Sequence, residues 1–396
     1  MTRRATEHES YDAVVVGARC AGAATAMLLA WRGLRVLAVD RQPFGSDTLS
    51  THALMRAGVL QLHRWGLLDR LAAAGTPAIR RTSFHYCDEE LVVQIRPRDG
   101  IDALFAPRRT VLDALLVDAA RAAGAEVVHQ TRVVELLRDQ RGRVQGVVVE
   151  RAGGARTALG AGIVIGADGL RSTVARLVGA EVEHAGRHAS GVVYGYWTGL
   201  GLEHTHWYYR EGVGVGAIPT NGGATCIFAG TSGARFRDEI RPDLAAGHRR
   251  LVGECAPALA AGLTAERQAG RLYAFAGHPG FFRRSWGPGW ALVGDAGYFK
   301  DPITAHGMTD ALRDAELLAS AVASGTEQEL AGYQSRRDDL SRDLYDISDR
   351  VASYGWTLEE VRELHLRLSR EMNREADAVL ALDGGAAAPT AISRTA

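Results

Sequence analysis

The residues with the clearest chemical potential lie near the N-terminus, around a glycine turn. Gly17, Arg19 and Gly22 stand in the sequence Gly-Ala-Arg-Cys-Ala-Gly, directly after the apolar run Ala13–Val16. Such a turn at a helix start presents backbone N–H groups and a partial positive charge to a pyrophosphate. Asp40 ends the next apolar run, about twenty residues later, where its carboxylate can accept hydrogen bonds from ribose hydroxyls. The spacing predicts a dinucleotide-binding βαβ unit, in which Gly17 permits the tight turn and Gly22 lets the helix approach the strand.

The motif departs from its usual form at Arg19, which stands where G-x-G-x-x-G has its middle glycine. A side chain there takes up room beside a phosphate, but a guanidinium can also contribute charge to it. Arg41, which directly follows Asp40, is a further candidate for contact with the cofactor. Taken alone, the motif is also compatible with a helix start that binds no ligand.

A second group of reactive side chains surrounds Pro302. Lys300 is the single lysine of the chain, whose other basic residues are arginines and histidines. Lys300 could donate to a bound anion or oxidant, and His306 could act as an acid or base near neutral pH. The structural alternatives are an ion pair of Lys300 with Asp301 or Asp310, and a helix-cap contact for His306.

Hydrophobic periodicity predicts the elements that position these residues. Helices are predicted at Thr51–Leu71 with a break at Gly66, Thr110–Ala123, Ser172–Val178, Pro242–Ala258, Thr304–Ala323 and Glu327–Leu382. Strands are predicted at Ala13–Val16, Arg35–Val39, Thr82–Ile95 as a hairpin, Glu126–Leu136, Val144–Glu150, Arg156–Leu159, Gly162–Ile165 and Trp290–Val293. Residues 181–284 read as an antiparallel sheet rich in glycine and aromatics. Its cluster His204, His206, Trp207 and Tyr208 is either a sheet face or the lining of an aromatic pocket.

The composition excludes several classes of function. The 396 residues carry a formal net charge of zero, so no basic field draws the chain to nucleic acid or acidic membranes. No apolar run reaches membrane-spanning length, and no signal peptide precedes the first strand. The four cysteines have no zinc-ligand spacing, and no histidine–carboxylate pattern predicts a metal. We expect a cytoplasmic protein.

Two later motifs accompany the glycine turn. Gly166–Gly179 reads GADGLRSTVARLVG, and Trp290–Ala319 contains Gly-Asp at Asp295 followed by the P-x-x-x-x-G pattern from Pro302. With the glycine turn, these motifs make residues 11–323 resemble the FAD-dependent aromatic hydroxylase superfamily. These class A flavoprotein monooxygenases also include geranylgeranyl reductase-like and flavin halogenase branches.

The resemblance implies contacts with FAD for a defined set of residues. These are Gly17, Arg19, Gly22, Asp40, Arg41, Arg56, Arg109, Val133, Asp168, Asp295, Pro302, Gly307 and Met308. Asp295 would bind the ribityl chain, Arg56 the pyrophosphate, and Arg109 the cofactor from the head of its helix. Asp168 could instead cap the following helix. His52 would lie close to the flavin and, with Lys300 and His306, completes the candidate catalytic set.

The resemblance also implies an α/β fold, with a Rossmann-like FAD-binding domain, an inserted antiparallel substrate domain and C-terminal helices. The FAD-binding domain would comprise residues 1–80, 100–180 and 286–325, and the substrate domain residues 81–99 and 181–285. A helical segment, 326–383, and a disordered tail, 384–396, would follow.

The implied activity is hydroxylation or epoxidation of a hydrophobic, aromatic or polyketide-like small molecule through a C4a-hydroperoxyflavin. It would use FAD, O2 and NADPH or NADH, with a separate flavin reductase as a conceivable partner. One alternative is a reductase of isoprenoid C=C bonds. Another is a halogenase, which the lack of a W-x-W-x-I-P segment disfavours. A third is a non-catalytic electron carrier.

Overall fold

A computed structural model describes residues 9–382 of the chain. The predicted tail at 384–396 lies outside these residues. The helices are α1 Cys20–Trp31, α2 Arg56–Arg64, α3 Leu68–Ala73, α4 Arg109–Ala122, α5 Thr173–Val178, α6 Gly233–Arg235, α7 Leu244–Cys255, α8 Pro257–Gly262, α9 Gly307–Ser324, α10 Glu327–Ala352 and α11 Leu358–Leu380.

The strands form two main sheets and two small ones. The first ten are β1 Ser10–Val16, β2 Val36–Val39, β3 Ala78–Ile79, β4 Arg81–Tyr86, β5 Glu89–Gln94, β6 Leu104–Phe105, β7 Glu126–Val128, β8 Thr131–Arg138, β9 Val144–Arg151 and β10 Arg156–Gly166. The others are β11 Val182–Ala185, β12 Ser190–Thr198, β13 Thr205–Arg210, β14 Val213–Pro219, β15 Ala224–Ser232, β16 Tyr273–Phe275, β17 Phe281–Arg283, β18 Trp286–Gly287, β19 Trp290–Leu292 and β20 Tyr298–Phe299.

The larger sheet has eight strands, with the path β18-β19-β10-β1-β2-β7 and with β8 and β9 continuing antiparallel from β10. Its centre is parallel, since β1 pairs in parallel with both β10 and β2. Parallel strands covered on both faces need apolar residues throughout, and the four residues of β2 are all buried. The loops that follow β1, β2, β10 and β19 therefore emerge at the same edge of the sheet.

The second sheet has seven strands in the order β16-β12-β15-β14-β13-β4-β5. Its pairs are antiparallel except that β13 runs parallel to β4. The hairpin β4–β5 thus joins the sheet formed by the later segment 190–275. The α/β class, the inserted sheet and the C-terminal helices predicted from the sequence are confirmed.

Small residues let helix α1 lie against the larger sheet. It is rich in alanine and buried on nearly every side, and it contacts α4 and α9. The C-terminal helices are less peripheral than the sequence suggests, because α11 buries Val361, Leu364 and Leu368 against the aromatic core of the second sheet.

Two strand predictions were wrong in detail. The segment predicted as one strand at 126–136 divides into β7 and β8, because Gln130 has a left-handed backbone with φ of 55°. The two strands predicted at 156–159 and 162–165 form the single strand β10, since Gly160 and Gly162 continue the extended backbone.

Candidate active site

Close packing explains both glycines of the first turn. Gly17 has φ of 102°, and a Cβ on it would lie 2.4 Å from the Ala167 carbonyl oxygen. A Cβ on Gly22 would lie 1.8 Å from the Gly17 carbonyl oxygen. The turn and the helix approach predicted for these glycines are confirmed. Arg19 has φ of −94°, a conformation open to any residue, so its position in the motif does not strain the backbone.

The side chains of Arg19 and Asp40 are held by protein groups. Arg19 donates to the Ser46 hydroxyl at 3.1 Å and to the Asp47 carbonyl at 3.2 Å, and lies 3.5 Å from Asp113. Asp40 is buried, and its two carboxylate oxygens accept the Ala18 amide at 2.8 Å and the Gln42 amide at 2.7 Å. Each carboxylate oxygen retains acceptor capacity after one such bond, so these contacts leave Asp40 able to bind a ribose.

A cavity of about 600 Å³ begins at this turn and is lined by residues of both main sheets. Most of the residues predicted to bind the cofactor or act on it line this cavity. They are Gly17, Arg19, Asp40, Arg41, His52, Arg109, Val133, Asp168, Asp295, Lys300, Pro302, His306, Gly307 and Met308. The fold therefore brings together segments separated by up to 291 positions in the chain.

Two predicted cofactor residues do not line the cavity. Gly22 acts through packing, as described above. Arg56 donates to the Arg96 carbonyl at 2.8 Å and to the Ile101 carbonyl at 3.3 Å, which ties the loop between β5 and β6 to α2. Its predicted contact with the pyrophosphate stays a prediction.

Asp168 and Asp295 line the cavity in different environments. Asp168 accepts the Ser172 hydroxyl at 2.5 Å and the Thr173 amide at 2.6 Å, so it also caps the start of α5, the alternative considered from the sequence. Burial raises the pKa of Asp295 to about 6, although the nearby Arg109 guanidinium acts in the opposite direction. A hydroxyl donor from a ligand would satisfy this carboxylate.

Lys300 is buried and forms an ion pair with Asp310, the alternative considered from the sequence. Its ammonium also lies 5.1 Å from the centre of the Tyr298 ring. Lys300 also lines the cavity, and its predicted donation to a bound anion or oxidant stays a prediction.

His306 precedes α9 but makes no helix-cap hydrogen bond, so that expectation was wrong. Its Nε2 lies 2.5 Å from Glu375 Oε2 on α11, and both side chains are buried. Arg313 donates to the other carboxylate oxygen at 2.6 Å. Burial disfavours the charge, but His306 and Arg313 together hold the pKa of Glu375 well below its usual range. Nothing in the sequence connects Glu375 with His306, 69 positions earlier.

His306, Asp310 and Glu375 are close enough to share a metal ion, a grouping that the sequence did not suggest. Their carboxylates are instead paired with Lys300 and Arg313. Arg313 also pairs with the buried Asp314 at 2.7 Å, so these side chains form a network of ion pairs within the protein.

His52 occupies a strained backbone position in the cavity wall, with φ of 67°. Its Nε2 is hydrogen-bonded to the Tyr196 hydroxyl, and its Nδ1 has no partner among the described residues. Burial, with a further contribution from Arg108, lowers its pKa to about 3. Arg108 stacks on the Tyr196 ring at 3.8 Å. A neutral imidazole that accepts from Tyr196 carries its proton on Nδ1 and can donate it to a ligand.

Part of the cavity lining is apolar and aromatic. It comprises Val192, Tyr194, Phe228, Phe275, Phe299 and Ile303. In contrast, His204, His206, Trp207 and Tyr208, considered from the sequence as lining for an aromatic pocket, do not line this cavity. The sequence pattern predicted this sheet, but it did not show which face of the sheet lines the cavity.

A family model described as "FAD binding domain" matches residues 10–348. The chain belongs to this family. It is an FAD-dependent flavoenzyme, as the resemblance implied. The site fits the cofactor, since the glycine turn forms a cradle that a Cβ would fill and the cavity continues from it past Asp295 to Met308.

Two relatives in sequence are reductases. The menaquinone reductase of Mycolicibacterium smegmatis is 28% identical over 79% of this chain and 76% of its own length. The digeranylgeranylglycerophospholipid reductase of Methanothrix thermoacetophila is 27% identical over 84% of each protein.

Solved structures with the same fold include proteins that are not named as reductases. The flavin-dependent brominase Bmp2 aligns with a TM-score of 0.76 at 18% identity, covering 96% of this chain and 94% of its own. PqsL of P. aeruginosa in complex with 2-aminobenzoylacetate aligns with a TM-score of 0.72 at 23% identity, covering 94% and 100%. Within residues 9–382, no helix combines the length and apolarity that crossing a membrane requires.

Proposed function

We propose that the protein is an FAD-dependent monooxygenase of a small, hydrophobic aromatic molecule. NADPH or NADH and O2 are consumed, one oxygen atom enters the substrate, and the other leaves as water. The two electrons of the nicotinamide and one proton from solvent complete the balance. Bound FAD supplies the oxygen activation and the protein supplies position and exclusion of water.

The observation that carries this proposal is the aromatic lining of the cavity. Tyr194, Phe228, Phe275 and Phe299 line the same cavity as the residues predicted to bind the cofactor, and the ring centres of Phe275 and Phe299 lie 6.4 Å apart. Aromatic walls favour a planar apolar ligand, because stacked and edge-to-face contacts add to the burial of apolar area.

The polar groups of the cavity would orient the two ligands. Asp295 would accept hydroxyl hydrogen bonds from the ribityl chain. The first turn of α9 offers backbone N–H groups without intrahelical partners, and Gly307 and Met308 bring that turn to the cavity. His52, with its unpaired Nδ1, would donate to a polar atom of the bound substrate or cofactor.

A reductase of isoprenoid C=C bonds is the second candidate. The menaquinone reductase and the digeranylgeranylglycerophospholipid reductase, each matched over more than three quarters of both chains, favour it. In that reaction the same reduced cofactor would deliver two hydrogens to a double bond and no oxygen would be consumed.

Product mass separates the two candidates. The purified flavoprotein is incubated with NADPH or NADH under air and under argon, with a panel of phenols and aromatic ketones or with menaquinone and a polyprenyl phospholipid. A monooxygenase gives a product heavier by one oxygen atom, labelled from 18O2, and gives none under argon. A product heavier by two hydrogens, formed under argon, would overturn the proposal in favour of the reductase.

A further inference from the structure

Three side chains with metal-ligand chemistry meet on the second sheet, outside the cavity. His85 lies on β4, Glu90 on β5 and His206 on β13, and these three strands are adjacent. Their register places them together, since His85 pairs directly with Glu90 and with Tyr208, two residues beyond His206. Linear spacing could not reveal this grouping, because each residue comes from a different strand.

The distances suit a shared ion. His85 Nε2 lies 3.1 Å from His206 Nδ1 and 3.8 Å from Glu90 Oε1, and one ligand atom from each residue falls within 4.8 Å of the others. Ligands at about 2.0–2.1 Å from one tetrahedral zinc ion are about 3.3 Å apart. Two ring nitrogens in this contact can hold only one proton between them, so at least one lone pair already faces the shared space.

Neighbouring groups hold the rings in place. The His85 ring stacks on Tyr208 with centres 4.2 Å apart and planes at 10°. The His204 ring packs 4.2 Å from the His206 ring. Both nitrogens of His204 are occupied, one by Arg81 at 3.0 Å and the other by Ser83 at 3.0 Å. His204 therefore orients the cluster and leaves the ligand positions to the other three residues.

Among residues 9–382, no lysine or arginine forms an ion pair with Glu90, which distinguishes this cluster from the network around His306. Arg81, on the same strand as His85, is paired with His204 and, at 3.6 Å, with Glu203. The half-exposed Glu90 leaves the site open to solvent, so water can complete the coordination.

We propose that His85, Glu90 and His206 form a zinc-binding site, with water as the fourth ligand. Imidazole nitrogens and a carboxylate are ligands that zinc prefers. The ion would join β13 to the hairpin β4–β5, which forms one edge of the sheet, and would stabilise that edge by mass action.

Calorimetric titration with ZnCl2 tests the site. The full-length flavoprotein is used without an affinity tag and after EDTA treatment. We expect saturable binding of one zinc ion per chain and a rise in the melting temperature on zinc addition. His85→Ala and His206→Ala should each weaken binding by about tenfold or more, and Glu90→Gln by less. His278→Ala removes an exposed histidine far from the cluster and should leave binding unchanged.

Two results would overturn the proposal. One is the lack of saturable binding to the wild-type protein. The other is binding that persists in both histidine variants, which would place the ion elsewhere, for example at His306. If an alanine variant does not fold, His206→Asn keeps a polar side chain of smaller size, and its melting temperature should no longer respond to zinc.

Discussion

Gly22 packs so closely against the preceding turn that a side chain would collide with it. A Cβ would lie 1.8 Å from the Gly17 carbonyl oxygen and 3.1 Å from the Ala167 side chain. We expect Gly22→Ala to lower the free energy of unfolding by about 1–3 kcal/mol, since α1 must move away from the turn. The same movement should lower the flavin content of the purified protein. Urea unfolding and the absorbance of bound flavin measure the two effects.

Gly332→Ala is the matched control for this substitution. Gly332 lies inside α10, and nothing is within 4 Å of the position of its Cβ. The change should stabilise the protein by up to about 1 kcal/mol, because alanine favours the helix. Equal effects of the two substitutions would show that close packing at Gly22 has no role.

His52 should make stability depend on pH. Burial lowers its pKa from the usual 6.5 to about 3, so between these values the unfolded chain binds a proton that the native protein does not. His52 therefore does not lower the free energy of unfolding well above pH 6.5, and it lowers it increasingly as the pH falls below that value. Between pH 7 and pH 5, the titration of His52 alone should lower the free energy of unfolding by about 2 kcal/mol.

His52→Asn isolates this contribution. Asparagine tolerates the left-handed backbone at this position better than other polar residues. The other buried histidines titrate in both proteins, so the difference between the variant and the wild type reports His52. The loss of stability between pH 7 and pH 5, measured by urea unfolding, should be about 2 kcal/mol smaller in the variant. If the variant and the wild type lose the same stability between pH 7 and pH 5, burial does not lower the pKa of His52.

At the scale of elements, Glu375 connects α11 to the start of α9. It is the partner of both His306 and Arg313, all three being buried. Replacing Glu375 removes the carboxylate that His306 and Arg313 share, although Arg313 keeps Asp314 at 2.7 Å, and breaking a buried ion pair typically costs about 3–5 kcal/mol. We expect Glu375→Gln to lower the free energy of unfolding by an amount in this range, measured in urea at pH 7.

Glu363→Gln provides the control on the same helix. Glu363 is exposed, and its replacement should change stability by no more than about 0.5 kcal/mol. Similar losses in the two variants would indicate a general effect on α11 and would contradict a specific role for Glu375.

The elements also show how far the sequence could be read. Apolar runs and the glycine turn predicted β1, α1 and β2 because local periodicity and backbone geometry decide those elements. The division between β7 and β8 depends on one left-handed residue, Gln130, which no glycine marks. The ion pair of Lys300 was foreseen only as an alternative, because the choice between a free and a paired cation depends on packing around it.

At the scale of the whole molecule, the cavity exists because two sheets from different parts of the chain meet. Sequence motifs predicted many residues that line it, most of them in turns or at the ends of strands and helices. They did not predict its aromatic lining, which depends on which face of the second sheet is turned inward, or the contact of His306 with Glu375 on α11, which depends on how distant helices pack. The hydrogen bonds of Arg56 to the loop at 96–101 show the same limit, because no motif marks that loop.

Phe275 tests whether the aromatic lining of the cavity binds the substrate. It lies on β16 and lines the cavity, and it is not among the residues predicted to bind FAD. Removing its ring should cost roughly 1.5–3 kcal/mol of substrate binding, a rise in KM of roughly tenfold or more. Flavin content should stay at the wild-type level, because no predicted cofactor residue is altered.

Leu366→Ala, which shortens an exposed side chain on α11, is the control and should leave KM unchanged. A Phe275→Ala variant that loses flavin while keeping its KM would instead place this part of the cavity lining against the cofactor, and the substrate would then have to bind elsewhere.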